Sequence, residues 1–132
     1  MRQSECEQLV KNWLSRSGYA PLGEVAPGWH FASEKDGQRW LVRVLGDQLN
    51  AQSTESDFAR AVGEVAIRIN QSDTSTHPTL AVAVEPYKDV LQSYAQSKFW
   101  SQMDVGMLLV TSGATSVSYL APEEVGEWLR RL

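Results

Sequence analysis

The chain has 132 residues, of which 42% are hydrophobic and 21% are charged, a balance that favours one folded domain over residues 1–132 and excludes extended disorder. Its 16 acidic and 12 basic residues give a net charge of −4, which argues against a protein that coats nucleic acid through clustered positive charge. The single cysteine, Cys6, excludes a disulfide framework and a multi-cysteine zinc site. The single cysteine also fits a reducing compartment, so we expect a cytoplasmic protein. No segment holds the roughly 18 apolar residues that cross a bilayer, so we expect no membrane contact.

The first predicted element is an N-terminal helix. Ser4 and Glu7 have the spacing of a capping box, and Gly18 marks the end of the helix. The apolar residues between them repeat at helical intervals: Cys6, Leu9, Val10, Trp13 and Leu14. Because Cys6 lies on this stripe, we expect a buried core residue rather than a reactive thiol.

Residues 19–45 have the pattern of two or three antiparallel strands. The run Lys35-Asp36-Gly37-Gln38 is typical of a hairpin turn between two of them. In the strand that follows, successive side chains alternate between the faces of the sheet. One face receives Trp40, Val42 and Val44, and the other receives Leu41, Arg43 and Leu45. Arg43 is therefore predicted to lie on a face of the sheet whose other residues are apolar.

The second half of the chain alternates helices with apolar strands. Helical spacing runs from residue 53 to 69 and from Tyr87 to about Trp100, and a C-terminal helix begins at Pro122. Three strands are predicted between these helices: 79–84, 105–111 and 116–120. We expect residues 71–78 to form a loop that exposes His77, and residues 112–116 to form a plain turn. The order αβββαβαββα predicts an α/β (α+β) fold with a mixed central sheet flanked by helices.

This order and the local sequence resemble the restriction-endonuclease-like superfamily, whose nuclease members carry the PD-(D/E)xK motif. The resemblance covers nearly the whole chain. It rests on the hairpin segments 29–37 and 40–47, on the helix that contains residues 57–64, and on the later apolar strands. It implies a restriction-endonuclease-like domain that is prokaryotic and DNA-associated.

The same resemblance exposes a degenerate active site. Nucleases of this superfamily need two carboxylates that hold a divalent cation and a lysine near the attacking water. The resemblance places these groups at positions where this chain has His30, Arg43 and Leu45. Arginine repels a cation and leucine offers no donor. We therefore expect no catalytic residue, metal or cofactor in the usual site.

Glu64 permits two interpretations of the same region. In the favoured one, Glu64 forms an ion pair with Arg43 that neutralises both groups. In the other, Glu64 joins a migrated site that binds Mg²⁺ or Mn²⁺, with His30 as a further metal ligand or general base, and the acids Glu34, Asp36 and Asp47 lie nearby in sequence. A lone histidine without a partner at ligand spacing is usually structural.

The five tryptophans fall into two groups. Trp13, Trp40 and Trp128 lie on periodic apolar faces and are predicted to be core residues. Trp29 and Trp100 do not belong to a clear periodic apolar pattern. We expect them to be exposed at an interface, where aromatic residues concentrate binding energy.

Three functions are compatible with these observations. The first is a catalytically inactive restriction-endonuclease-like domain that acts by binding, as an accessory protein in a prokaryotic DNA-associated or mobile-element system. The second is a metal-dependent nuclease with a rearranged active site that uses Glu64. The third is a protein-binding or immunity-type domain without nucleic acid. The expected partner is accordingly a protein or DNA, and a homodimer is a further expectation because relatives in the superfamily often dimerise.

Overall fold

A computed structural model describes residues 2–46, 51–69, 74–111 and 116–132, and it arranges helices on both faces of one mixed sheet. In chain order the elements are α1 (Gln3–Arg16), β1 (Ala20–Pro21), β2 (Phe31–Lys35), β3 (Gln38–Leu45), α2 (Ala51–Arg68), β4 (Thr76–Ala83), α3 (Val84–Ser93), α4 (Phe99–Gln102), β5 (Gly106–Thr111), β6 (Ser116–Leu120) and α5 (Pro122–Arg131). The predicted α/β class, with a mixed sheet flanked by helices, is confirmed. Within the described ranges, no helix is both long and apolar enough to span a membrane.

The six strands lie side by side in the order β1-β2-β3-β4-β5-β6, which is also their order in the chain. Antiparallel pairing joins β1 to β2, β2 to β3 and β5 to β6, whereas β3, β4 and β5 are parallel. The parallel pairs need crossover connections, and α2 and then α3 with α4 supply them.

The predicted hairpin turn is present between β2 and β3. Asp36 has a φ of 52° and Gly37 a φ of 80°, so both central residues adopt the left-handed conformation of a two-residue type I′ turn. Asparagine, aspartate and glycine tolerate this conformation best. The turn therefore sets the register that places Glu34 opposite Arg39 and Phe31 opposite Val42.

Two hydrophobic cores lie on opposite faces of the sheet, as the alternation in β3 predicts. On one face α1 covers the strands with Cys6, Val10 and Leu14, which are fully buried. On the other face α2, α3 and α5 cover the strands with a larger cluster. Burial raises the pKa of the Cys6 thiol to about 12, so this thiol stays protonated at neutral pH, as expected of a core residue.

The ends of two helices differ from the sequence-based predictions. The capping box at Ser4 is wrong, because the amide of Cys6 already donates to the Arg2 carbonyl at 3.0 Å and the helix starts at Gln3. The helix predicted from Tyr87 to Trp100 is two helices, α3 and α4. The indole of Trp100 donates a 2.8 Å hydrogen bond to the carbonyl of Tyr94, just past the end of α3, a tertiary contact that helical periodicity does not reveal.

The loop predicted for residues 71–78 is partly a strand. Parallel pairing with β3 extends β4 back to Thr76, and Nε2 of His77 lies 2.7 Å from Oε1 of Gln38. The prediction of an exposed His77 is therefore wrong, since its side chain is half-buried beside Trp40. Residues 71–73 of that loop, and residues 112–115 of the predicted turn, lie outside the described residues.

Trp40 is the centre of an aromatic cluster on the α1 side of the sheet. Its ring lies within 6.0 Å, centroid to centroid, of four other rings: Trp13, Tyr19, His77 and Tyr119. Tyr119 reaches Trp40 across two intervening strands, over the backbone of Gly106. A Cβ at Gly106 would lie 2.8 Å from Cε1 of Tyr119, so glycine at this position makes room for the ring.

We predict that Gly106→Ala lowers the free energy of unfolding by about 1–3 kcal/mol, because the added methyl group overpacks the Tyr119 ring. Gly63→Ala is the matched control. A Cβ at Gly63 meets nothing within 4 Å, so alanine in this exposed helical position should stabilise the protein by about 0.5–1 kcal/mol. Urea unfolding of both variants measures the difference. Equal stability of Gly106→Ala and the unsubstituted protein would contradict this packing.

Candidate functional site at the carboxyl end of strand β3

The structure brings Arg43 and Glu64 into direct contact. Arg43 projects from β3 toward α2, and its Nη1 lies 2.6 Å from Oε2 of Glu64. The side chains are 17% and 32% exposed, respectively, so the pair lies in a partly wet cleft rather than in the dry core. The ion pair favoured from the sequence is therefore present.

The Arg43 guanidinium is also anchored to the loop before β2. Nη1 donates a 3.0 Å hydrogen bond to the carbonyl of Gly28. Nε of Arg43 is buried and has no hydrogen-bond partner among the described residues. Arg43 thus joins three segments that are distant in sequence: the Gly28 loop, strand β3 and helix α2.

A second arginine holds the same loop from the end of α2. Nε of Arg68 donates to the carbonyl of Pro27 at 2.7 Å, and its Nη1 donates to the carbonyl of Glu64 at 2.9 Å. Gly28 has a φ of 97°, a left-handed conformation that favours glycine, and a Cβ at Gly28 would collide with the Arg68 side chain. Sequence reasoning missed Arg68, because no local pattern connects it to a loop 41 residues away.

His30 is bound within the fold through both ring nitrogens. Its Nδ1 accepts a 2.8 Å hydrogen bond from the amide of Val44, so Nε2 carries the proton of the neutral ring. Nε2 lies 2.6 Å from Nε2 of Gln3, and since the ring nitrogen is the donor, the Gln3 amide must turn its oxygen toward the ring to accept this bond. Burial, and next the positive charge of Arg43, lower the pKa of His30 from its ordinary value of 6.5. His30 is therefore neutral at physiological pH and holds the start of α1 against β3.

The other candidate residues that the structure describes lie in the core or on the exposed hairpin. Leu45 is almost fully buried and packs in the larger core, so the position where the resemblance places a lysine is apolar. Glu34 pairs with Arg39 at 3.3 Å on the exposed hairpin, and Asp36 lies in the turn. Asp47 lies outside the described residues. Within those residues, no group of three or more His, Cys, Asp or Glu side chains could hold a metal ion.

The two tryptophans expected at an interface are buried. Trp29 is 8% exposed and Trp100 is 5% exposed, and both belong to the larger core. Trp100 packs edge to face against Phe99, with ring centroids 4.8 Å apart. The prediction that they are exposed is wrong because Trp29 lies in the loop before β2 and Trp100 in the short helix α4, and segments this short show no periodic apolar face in the sequence.

Comparison with known proteins shows a likeness in fold. No protein-family model and no curated protein matches the chain. A solved structure of a XisH family protein from Nostoc punctiforme PCC 73102 has a TM-score of 0.61 and 22% identity, and the match covers 88% of this chain and 98% of that one. An FdxN element excision controlling factor protein from Anabaena variabilis has a TM-score of 0.63 and 21% identity, with 87% and 96% covered. Both likenesses are compatible with the restriction-endonuclease-like resemblance.

We predict that Arg43→Ala lowers the free energy of unfolding by about 1–3 kcal/mol, because it leaves Glu64 and the Gly28 carbonyl without their partner in a partly desolvated cleft. Arg39→Ala is the matched control: it removes an exposed ion pair on the hairpin and should change stability by no more than about 0.5 kcal/mol. Chemical unfolding followed by tryptophan fluorescence measures both. Equal losses in the two variants would contradict a structural role for the Arg43 pair.

A second prediction concerns the protonation of His30. Since its pKa is lowered in the folded protein, the unfolded chain binds this proton first as the pH falls, and the free energy of unfolding decreases between pH 6.5 and the folded pKa. NMR titration should give a pKa below 6.5 for His30. Arg43→Ala should raise this pKa only in part because burial persists, whereas Arg39→Ala should leave it unchanged. A pKa at or above 6.5 would show that the ring is not bound as described.

Proposed function

We propose that this protein acts by binding, as an accessory protein of a DNA-associated system in prokaryotes, and that it does not hydrolyse phosphodiester bonds. The observation that carries the proposal is the contact between Arg43 and Glu64. In metal-dependent cleavage, carboxylate oxygens hold the divalent cation that activates water. Here a guanidinium already occupies Oε2 of Glu64, and its anchor on the Gly28 carbonyl keeps it there.

The electrostatics of the cleft support the same proposal. A Mg²⁺ or Mn²⁺ ion at Glu64 would have to displace Arg43 and would then lie close to its positive charge, which disfavours binding. His30 does not compensate, because Nδ1 is engaged by the Val44 amide and Nε2 carries the proton. Leu45 offers neither a ligand nor a proton donor.

The DNA association is supported by the solved structures with the same fold. One of them is described as a controlling factor for excision of the FdxN element, and a protein that controls an excision can act without cutting DNA itself. The net charge of −4 makes phosphate contacts a poor sole source of affinity. We therefore propose that the chain recognises either DNA or a protein partner within such a system.

The decisive experiment is incubation of the purified protein with supercoiled plasmid and Mg²⁺ or Mn²⁺. We expect no nicked or linear product, and the Glu64→Gln variant should give the same result. Scission by the unsubstituted protein that is lost in Glu64→Gln, with circular dichroism showing a folded variant, would overturn the proposal and identify a rearranged metal site.

The same preparation distinguishes the two classes of partner. Retention of a labelled DNA duplex that weakens steeply as salt is added indicates phosphate contacts and supports DNA as the partner. Absence of retention at low salt assigns the binding role to a protein partner instead.

A further inference from the structure

The two edges of the sheet differ in how well they are protected. Every second residue of an edge strand points its backbone N–H and C=O away from the sheet, where another strand can pair with them. At one edge, β1 has only two residues, and Pro21 has no N–H to offer. At the other edge, β6 has five residues and pairs only with β5 within the part of the chain that the structure describes.

Strand β6 lacks the devices that usually protect an edge. Proteins prevent edge pairing with charged side chains, prolines, bulges or very short strands. The sequence of β6, Ser-Val-Ser-Tyr-Leu, contains no charge and no proline. Its register with β5 runs without a bulge from Leu120, opposite Met107, to Ser116, opposite Thr111. The whole strand is therefore competent to pair on its outer side.

The strand is also held in an extended shape before any partner arrives. Tyr119 is fixed over Gly106 and lies 4.7 Å from Trp40, centroid to centroid. At the other end, the hydroxyls of Ser116 and Thr111 lie 2.6 Å apart. Val117, Tyr119 and Leu120 are only partly buried, so a strand placed beside them would remove further apolar surface from water.

We propose that β6 pairs antiparallel with β6 of a second copy of this chain, about a two-fold axis at Ser118, so that the two sheets become one continuous sheet. A two-fold axis requires a self-complementary surface, and this sequence supplies one. Ser118 lies opposite itself, and Val117 lies opposite Tyr119 of the second copy. Pairing of a β-branched with an aromatic side chain is favourable across strands.

The charges near β6 are compatible with this pairing. Glu123 and Glu124 follow Leu120 in the chain, and Asp104 precedes β5, whose residue Met107 lies opposite Leu120, so these carboxylates lie toward the Leu120 end of the strand. With the axis at Ser118, the two Leu120 residues are four residue steps apart, about 13 Å along the strand. The acidic residues next to Leu120 therefore lie at opposite ends of the paired strands rather than side by side.

The first test is site-specific cross-linking of the full chain. Ser118→Cys should give a covalent dimer with a short bis-maleimide, because the axis places the two residues side by side. Ser101→Cys, at an exposed position of α4, is the matched control and should stay monomeric. The unsubstituted protein controls for cross-linking through Cys6, which is fully buried and should not react. Failure of Ser118→Cys to cross-link above the level of Ser101→Cys would overturn the proposal.

The second test is the mass in solution by light scattering over a range of protein concentrations. We expect the unsubstituted protein to dimerise and Ser118→Lys to be monomeric, since a charge on the edge opposes pairing. The melting temperature of Ser118→Lys at low concentration should match that of the unsubstituted monomer, because Ser118 is exposed. A protein that is monomeric at every concentration, or a dimer that Ser118→Lys does not weaken, would each overturn the proposal. Neither readout depends on DNA or on catalysis.

Discussion

The structure around the candidate site depends on one constraint: the positive charge of Arg43 lies on an apolar side of β3 and must be neutralised there. A guanidinium removed from water must find acceptors, and Arg43 finds them in a carboxylate from α2 and a carbonyl from the loop before β2. Arg68 adds a second tie between that helix and the same loop. The path of residues 27–30 is therefore set by two arginines rather than by apolar packing alone, and Trp29 is carried into the core with it.

The same contact connects structure to function. An ion pair that neutralises a partly buried arginine uses the carboxylate that a metal ion would need, so Glu64 cannot pair with Arg43 and hold a metal ion through the same oxygen at once. The neutral ring of His30 fits this arrangement, since a second positive charge beside Arg43 would be unfavourable. The cleft is thus organised around one internal charge pair, and this pair is the observation on which the proposed function rests.

Sequence periodicity predicted the parts of the molecule that local patterns determine. The alternation in β3, the Asp-Gly hairpin and the apolar stripe of α1 are set by backbone geometry and burial, and all three are present. The Arg43–Glu64 pair was predicted from two observations together: the alternation in β3 places Arg43 on an apolar face, and the superfamily resemblance draws attention to Glu64 on the helix that follows the hairpin. Three other features could not be predicted from the sequence: the break between α3 and α4, the burial of Trp100 and the hydrogen bond from Arg68 to Pro27. Each involves a hydrogen bond from a side chain to a distant backbone carbonyl.

The strand order has a consequence for how the protein folds. Each strand of the sheet lies next to the strand that precedes it in the chain, but the parallel pairs β3–β4 and β4–β5 join segments that are separated by whole helices. Pairing between segments far apart in sequence slows folding. The β2–β3 and β5–β6 hairpins can therefore form locally, whereas the parallel centre of the sheet forms only when the intervening helices are present.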